Sequence, residues 1–403
     1  MKTVAIIAEY NPFHNGHKYQ IDKIREHFGS DTAIIAIMSG NYTQRGELAF
    51  MEKWERARAA VMSDVNLVLE LPFPYSSSSA EFFARSGVHI INSLGIVDAI
   101  SFGSESGDIT ALYNAASNMM STEYKAELDK LASDPKNDKH GYARLCDMAY
   151  FNVYKKEPPE STSNNILAIE YIKAVIEEGA DLELHTVKRH GAEYNEEKII
   201  SSPHQSATAI RNQLKHNTSS AQDYVPKYSF DIISEEIDAN RAPALEERLE
   251  LAVLSNFRLN SPNATVDIHD ADGGLYNRLI RLSHEADSLS AIKKLASTKK
   301  YTDARIRRAI WFSYFGVTSS DVRELPEYTQ ILAMDSIGQA ILKKARKTAK
   351  ISILNKPSTP PDSEAAKRQK ELSDKADGIY QLAKPLPMPS TSIYKRGPYV
   401  KKD

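Results

Sequence analysis

Cys146 is the only cysteine in 403 residues. That excludes an intramolecular disulfide and a thiolate zinc cluster, and it fits a reducing cytoplasm. In the run Arg144-Leu145-Cys146-Asp147 it reads as small filler rather than as a nucleophile. No hydrophobic run approaches the roughly 18 residues that a spanning helix needs, so no membrane segment is expected. Met1 to Ala8 is apolar but is broken at Glu9, with no extended basic region and no small-residue cleavage site, which argues against a signal peptide. What the chain has is an ordinary globular composition, 41% apolar and 26% charged, enough to bury a core in two or three domains. No internal repeat is visible.

A net charge of −2 hides an asymmetry. Residues 291–403 hold 23 Lys and Arg against 11 Asp and Glu, so a basic C-terminal third sits on an acidic body. Such a third suits contact with a polyanion, or it is a solvated lysine-rich tail. Short apolar runs at Val4–Ala8, Ala33–Met38, Val65–Leu71, Ile96–Phe102 and Leu182–Val187 read as buried strands. Helical patterns lie between them: one beginning near His17, then Trp54–Met62, Ala80–Ser93, a long stretch from Ile109 to about Tyr154, and Ile166–Glu177. This alternation predicts an α/β fold with a doubly wound parallel sheet and ligands at the carboxyl ends of its strands. After Leu214 the patterns over 228–256, 275–285, 291–296, 303–315 and 329–345 all read as helices, with a boundary near 215–228.

The chemistry is concentrated where the first strand breaks: Glu9-Tyr10-Asn11-Pro12-Phe13-His14-Asn15-Gly16-His17. A helix opening there offers unpaired N–H groups and a positive dipole end to phosphate. Gly16 allows close approach, and the two imidazoles can stabilise charge as an α-phosphate is attacked. Ser206-Ala207-Thr208-Ala209-Ile210-Arg211 is a second candidate phosphate turn; there Ser206 and Thr208 offer hydroxyls and Arg211 a guanidinium fork, or the segment is a plain N-capped helix.

Together these motifs resemble the HxGH nucleotidylyltransferase superfamily, relatives of class I aminoacyl-tRNA synthetases. Over nearly its full length the chain is similar to the bacterial tRNA(Met) cytidine acetate ligases. The matching stretches are AEYNPFHNGH at 8–17, MSGNYTQRGELA at 38–49, LVLELPFPYS at 67–76, ISFGSES at 100–106, SNNILAIEYI at 163–172, TVKRHGAEY at 186–194, SATAIR at 206–211, TKKYTDARIRRAI at 298–310 and ILAMDSIGQAIL at 331–342. Ala207 departs from the family, where Gly or Ser is also common.

The resemblance implies an HxGH nucleotidyltransferase-like, ATP-binding catalytic domain over 1–220 and a mainly helical, basic, tRNA-binding domain over 221–403. It implies catalysis by His14 and His17, with ATP along Ile7, Ala8, Glu9, Tyr10, Asn11, Pro12, Phe13, His14, Asn15, Gly16, His17, Lys18, Tyr19 and Gln20. Further ATP contacts are implied at Gly103, Asn164, Asn165 and Arg189. The Asn pair can equally cap a helix starting at Ile166, one residue serving each purpose. The implied reaction activates acetate with ATP, releases pyrophosphate, and acetylates the exocyclic amine of the wobble cytidine in elongator tRNA(Met). Mg²⁺ is expected with the ATP, and no membrane or stable protein partner is inferred.

In the basic third, Lys299, Lys300, Arg305 and Arg308 form one candidate tRNA-backbone cluster, and Lys343 and Lys344 lie in a second. Both can also be solvated helix faces. Arg45, between two glycines, is a candidate for acetate or tRNA phosphate, or belongs to a solvated loop. Two other readings remain open from sequence: a nucleotidylyltransferase of cofactor biosynthesis, which has no need of the basic third, and a nucleotide-gated RNA-binding protein without turnover.

Overall fold

The structure, a computed structural model, describes residues 1–137, 140–159, 162–189, 205–261 and 266–402. Among these residues, eight strands form one sheet: β1 (Thr3–Ala8), β2 (Ala33–Ser39), β3 (Leu67–Leu71), β4 (Ala99–Ser104), β5 (Glu183–Lys188), β6 (Tyr328–Met334), β7 (Ser352–Leu354) and β8 (Tyr399–Val400). The order is β5-β4-β1-β2-β3-β6-β7, with β8 also beside β6. β1 to β5 are mutually parallel, in the register Ala5↔Ile35, Ile35↔Leu67 and Ala5↔Ile100. β6 joins β3 antiparallel. The chain winds outward from β1 through β2 to β3, then returns to start β4 on the other side of β1. That reversal leaves a crevice at the carboxyl ends of β1 and β4, where open α/β sheets bind ligands.

Alternation along the strands builds two cores. Ala5, Ile7, Ile35, Ile37 and Leu69 face one side, under helices Ala80–Leu94, Ile109–Met120, Ser163–Glu177 and Ser336–Thr348. Val4, Ile6, Ile34, Ala36 and Val68 face the other, under Asn15–Phe28, Lys53–Met62 and Lys227–Asp238. A third core belongs to the helices of the C-terminal half and draws in Tyr42 and Phe73 from the sheet domain. Trp311, fully buried there, donates Nε1–H to the Gly46 carbonyl at 3.0 Å.

Three expectations change, the first being the helix over 228–256, which is two, Lys227–Asp238 and Glu250–Arg258. The helix expected over 329–345 begins as strand β6; every residue from Tyr328 to Ala333 is buried, and the helix starts only at Ser336. β6, β7 and β8 therefore extend the sheet, so the change near residue 220 is one of content and not a break between separate layers. The long helix expected from Ile109 is three: Ile109–Met120, Thr122–Ser133 and Tyr142–Tyr154. Ser121 ends the first and caps the second, its Oγ accepting from Tyr124 N.

A buried charge cluster ties the halves together. Lys53 Nζ lies 2.7 Å from Glu70 Oε1 and 2.5 Å from Asp377 Oδ2, while Asn41 Nδ2 donates to Asp377 Oδ1 at 2.8 Å. Burial is offset only because every charge in the cluster has a partner.

Candidate active site

β1 ends at Ala8, and Tyr10 then takes a left-handed turn at φ 47°, followed by a cis bond to Pro12. Phe13, fully buried, anchors this loop beside Tyr10, with ring centroids 4.8 Å apart. His14 is the N-cap of Asn15–Phe28. Its Nδ1 accepts from Gly16 N at 3.1 Å, and its own N–H donates to His17 Nδ1 at 3.1 Å. This is a capping box with imidazoles in place of Ser and Glu. The rings stack with centroids 3.7 Å apart. Each Nδ1 is occupied as an acceptor, so each neutral ring carries its proton on Nε2. Burial, helped by the Arg189 charge, lowers the His17 pKa to about 3, so this ring is a neutral donor at physiological pH. Gly16 is required by sterics: a Cβ there would lie 2.9 Å from His14 Cε1.

A cavity of about 470 Å³ opens over this turn, at the crevice between β1 and β4. Of the residues expected to touch ATP, its wall contains Ile7, Ala8, Glu9, Tyr10, Asn11, His14, Gly16, His17, Tyr19, Gln20, Gly103, Asn164 and Arg189. Asn11 Nδ2 is buried with no partner among the described residues. Asn164 accepts from Arg189 Nη1 at 3.2 Å and donates to Glu105 Oε1 at 2.5 Å. Glu9 Oε1 accepts from Gln44 N at 2.8 Å. Burial holds the Glu9 carboxyl above its ordinary range, outweighing that hydrogen bond and the charges of Arg211 and Arg45.

The other expected contacts stand outside the wall. Pro12 and Phe13 are packed beneath the turn, and Asn15 N and Nδ2 tie to the carbonyls of Tyr224 and Asp223. Lys18 pairs with Asp22 at 2.5 Å and Asp64 at 3.3 Å on the outer face of the helix. Asn165 is not a cap, because the helix begins at Ser163; its Oδ1 instead accepts from Glu105 N and holds the loop after β4. Ser206 caps Ala207–Leu214, and Arg211 bridges Glu47 at 2.8 Å and the Asn11 carbonyl at 2.9 Å, with Thr208 Oγ1 3.3 Å away. Ala207 is the residue of that segment in the wall, joined by Gln205 just before it. Residues 190–194 of the stretch matched at 186–194 lie outside the described residues.

The wall also holds residues that the sequence did not single out. Phe83, Phe102, Leu167, Tyr171 and Val187 make an apolar side, and Lys188 adds a cation. Arg45 is in the wall as well, and Nη2 reaches Ser163 Oγ at 2.9 Å. Thr302 and Ala304 bring the C-terminal half to the mouth. The apolar side had no local signal, because its residues come from separate strands and helices that meet only in the fold.

The basic clusters separate under the same test. Lys299 and Lys300 are exposed, three and two residues before Thr302 of the wall, with Lys300 Nζ 5.8 Å from the centroid of the Tyr301 ring. Arg305 donates to the Asp270 carbonyl and lies 2.5 Å from Asp272 Oδ1, and Arg308, buried, lies 2.6 Å from Asp270 Oδ2. Both hold the 270–272 loop, Arg308 from within and Arg305 from a partly exposed position. Lys343 and Lys344 are exposed on a helix tied at both ends to the amino edge of the sheet, away from the cavity: Asn66 Nδ2 donates to Asp335 at 2.8 Å, and Thr348 Oγ1 donates to the Leu94 carbonyl at 2.6 Å.

The HIGH nucleotidyl transferase family model matches residues 1–393. A tRNA(Met) cytidine acetate ligase of Thermosipho africanus is 35% identical over 368 residues, covering 89% of this chain and 85% of the relative. One from Clostridium acetobutylicum is 37% identical over 375 residues, covering 88% and 90%. The chain belongs to the tRNA(Met) cytidine acetate ligase family. Two crystal structures of Thermotoga maritima TmcAL agree with this membership across 99% of both chains: the apo form, at TM-score 0.91 and 31% identity, and the form bound with alpha-thio ATP, at TM-score 0.89 and 30% identity. No helix among the described residues is long and apolar enough to cross a membrane.

Proposed function

We propose that this chain activates acetate with ATP and acetylates the exocyclic amine of the wobble cytidine of elongator tRNA(Met). One observation carries the reading: two stacked imidazoles, each fixed as an Nε2–H donor, stand at a helix start in a cavity that is apolar on one side and lined by Arg45, Lys188 and Arg189. The apolar side suits the adenine ring, and the cations with Asn11 and Asn164 suit the phosphates and ribose. Acetate attacks the α-phosphorus, pyrophosphate leaves, and the Nε2–H donors of His14 and His17 stabilise the charge on the phosphate oxygens. Donors already fixed in place cost no reorganisation at that moment. Among the described residues no group of three or more His, Cys, Asp or Glu could hold a metal ion, so we assign Mg²⁺ to the triphosphate and its waters.

In this reading residues 1–220 carry the adenylation chemistry, and 221–403 hold the tRNA with the exposed Lys299 and Lys300. The half-buried Arg305 and the buried Arg308 shape that surface. The site of action is the cytoplasm. The test is pyrophosphate release from ATP with acetate and tRNA added or withheld. Acetate-dependent release followed by acetylated tRNA is expected; transfer of AMP to a small acceptor would replace this reading with a cofactor-making one.

A further inference from the structure

We propose that Glu9 is the base of the acyl-transfer step, taking the proton from the cytidine amine as it attacks. The inference rests on the ligase reading above. In that step the exocyclic nitrogen attacks the acetyl carbonyl carbon and a C–N bond forms. The C–O bond to AMP breaks, AMP leaves with the electron pair, and the nitrogen sheds one proton. A group in the cavity has to receive it.

The structure leaves few receivers. His14 and His17 both use Nδ1 to accept a backbone N–H, so their neutral rings can only donate from Nε2. Arg45, Lys188 and Arg189 are cations. The wall's tyrosines carry phenols that normally keep their proton to about pH 10. Among the described residues Glu9 is the one carboxyl in the wall. It is also held in place. Its Oε1 accepts from Gln44 N at 2.8 Å, and Gln44 is braced by its own Nε2–H to the Ser78 carbonyl at 3.0 Å and by Arg308 on its carbonyl at 3.4 Å. Oε2 makes no hydrogen bond among the described residues. The groups that set the protonation of Glu9 come from four elements: Arg45 and Glu47 on the loop after β2, Arg56 on Lys53–Met62, Tyr171 on Ser163–Glu177 and Arg211 on Ala207–Leu214. Burial outweighs the cations and raises the carboxyl, which makes it a better proton acceptor near neutral pH.

The test uses the full chain with Glu9→Gln, which keeps an oxygen for Gln44 N–H but removes the basicity. Two rates are compared: acetate-dependent ATP–pyrophosphate exchange without tRNA, and single-turnover acetyl transfer from bound acetyl-adenylate to tRNA between about pH 5 and 9. Transfer should fall by about 10²–10⁴-fold and lose its rise with pH, while exchange falls far less. Glu9→Asp should recover part of the transfer together with the pH rise. The proposal is overturned if Glu9→Gln transfers within about threefold of wild type, or if exchange and transfer fall together, which would make Glu9 a nucleotide-holding residue. A wild-type chain that shows no acetate-dependent exchange would sink the ligase reading itself.

Discussion

Replacing His17 separates structure from chemistry, provided the replacement keeps the cap. His17 occupies the third helical position and accepts from the His14 N–H. His17→Ala leaves that N–H unpaired and removes the ring contacts with Tyr10 and Phe13. Loss of such a cap costs about 0.5–2 kcal/mol, with lost packing in addition. His17→Gln is the sharper perturbation. Glutamine at this position normally closes a capping box, so stability should stay within about 1 kcal/mol of wild type in urea melts. The Nε2–H donor of the ring stacked on His14, centroids 3.7 Å apart, is nonetheless gone. Removing one such donor costs about 10²–10³-fold, or roughly 2.7–4 kcal/mol, in the chemical step. Acetate-dependent ATP–pyrophosphate exchange should fall by that factor. Because the ring titrates near 3, exchange in wild type should show no His17 limb between about pH 5 and 8. The folded pKa lies below the usual 6.5, so the unfolded chain binds the proton more readily. The His17 contribution to stability is therefore complete above about 6.5 and is lost as pH falls toward 3. Exchange in His17→Gln at the wild-type rate would refute the argument, as would a wild-type limb near pH 6.5 that this substitution abolishes.

Gly16→Ala should lose about 0.5–1 kcal/mol of stability, since the helix-favouring Ala offsets only part of the cost of pushing the capping His14 ring aside, and should cut exchange for the same reason; urea melts and exchange assays on one preparation check both. Lys53→Met strands Glu70 and Asp377 as buried charges and should cost about 3–5 kcal/mol in urea unfolding. Charge reversal of Lys299 and Lys300 together should leave the melt unchanged, weaken tRNA binding and lower the salt slope by about 2. Arg308→Glu should instead destabilise the fold by about 3–5 kcal/mol, because it breaks the buried pair with Asp270.

The HxGH turn was legible because it is local: strand, loop, cap and helix follow within fifteen or so residues, and composition alone marks each. The five parallel strands were legible for the same reason, as short apolar runs alternating with helical ones. β6 was not, since its apolar run leads within two residues into a helix whose pattern absorbs it, and its strand state comes from pairing with β3 some 260 residues earlier. Arg305 and Arg308 looked like an exposed basic face at i and i+3, and only the fold brings Asp270 and Asp272 against them. The Asn pair was weighed as contact against cap, yet the fold gives Asn164 to the cavity and Asn165 to the loop after β4. Glu9 stood out only as one member of an ATP-binding run. What distinguishes it, the one carboxyl among the described residues of the wall, held by Gln44 N–H amid donors and cations, is tertiary.

The central claim is tested most directly by incubating the protein with labelled acetate and elongator tRNA(Met), with and without ATP, and mapping the label. One acetyl group is expected on the exocyclic amine of the wobble cytidine, formed only with ATP and lost when that cytidine is replaced. Label appearing without ATP, label at other cytidines, or labelled AMP on a small acceptor with no acetylated tRNA would contradict it.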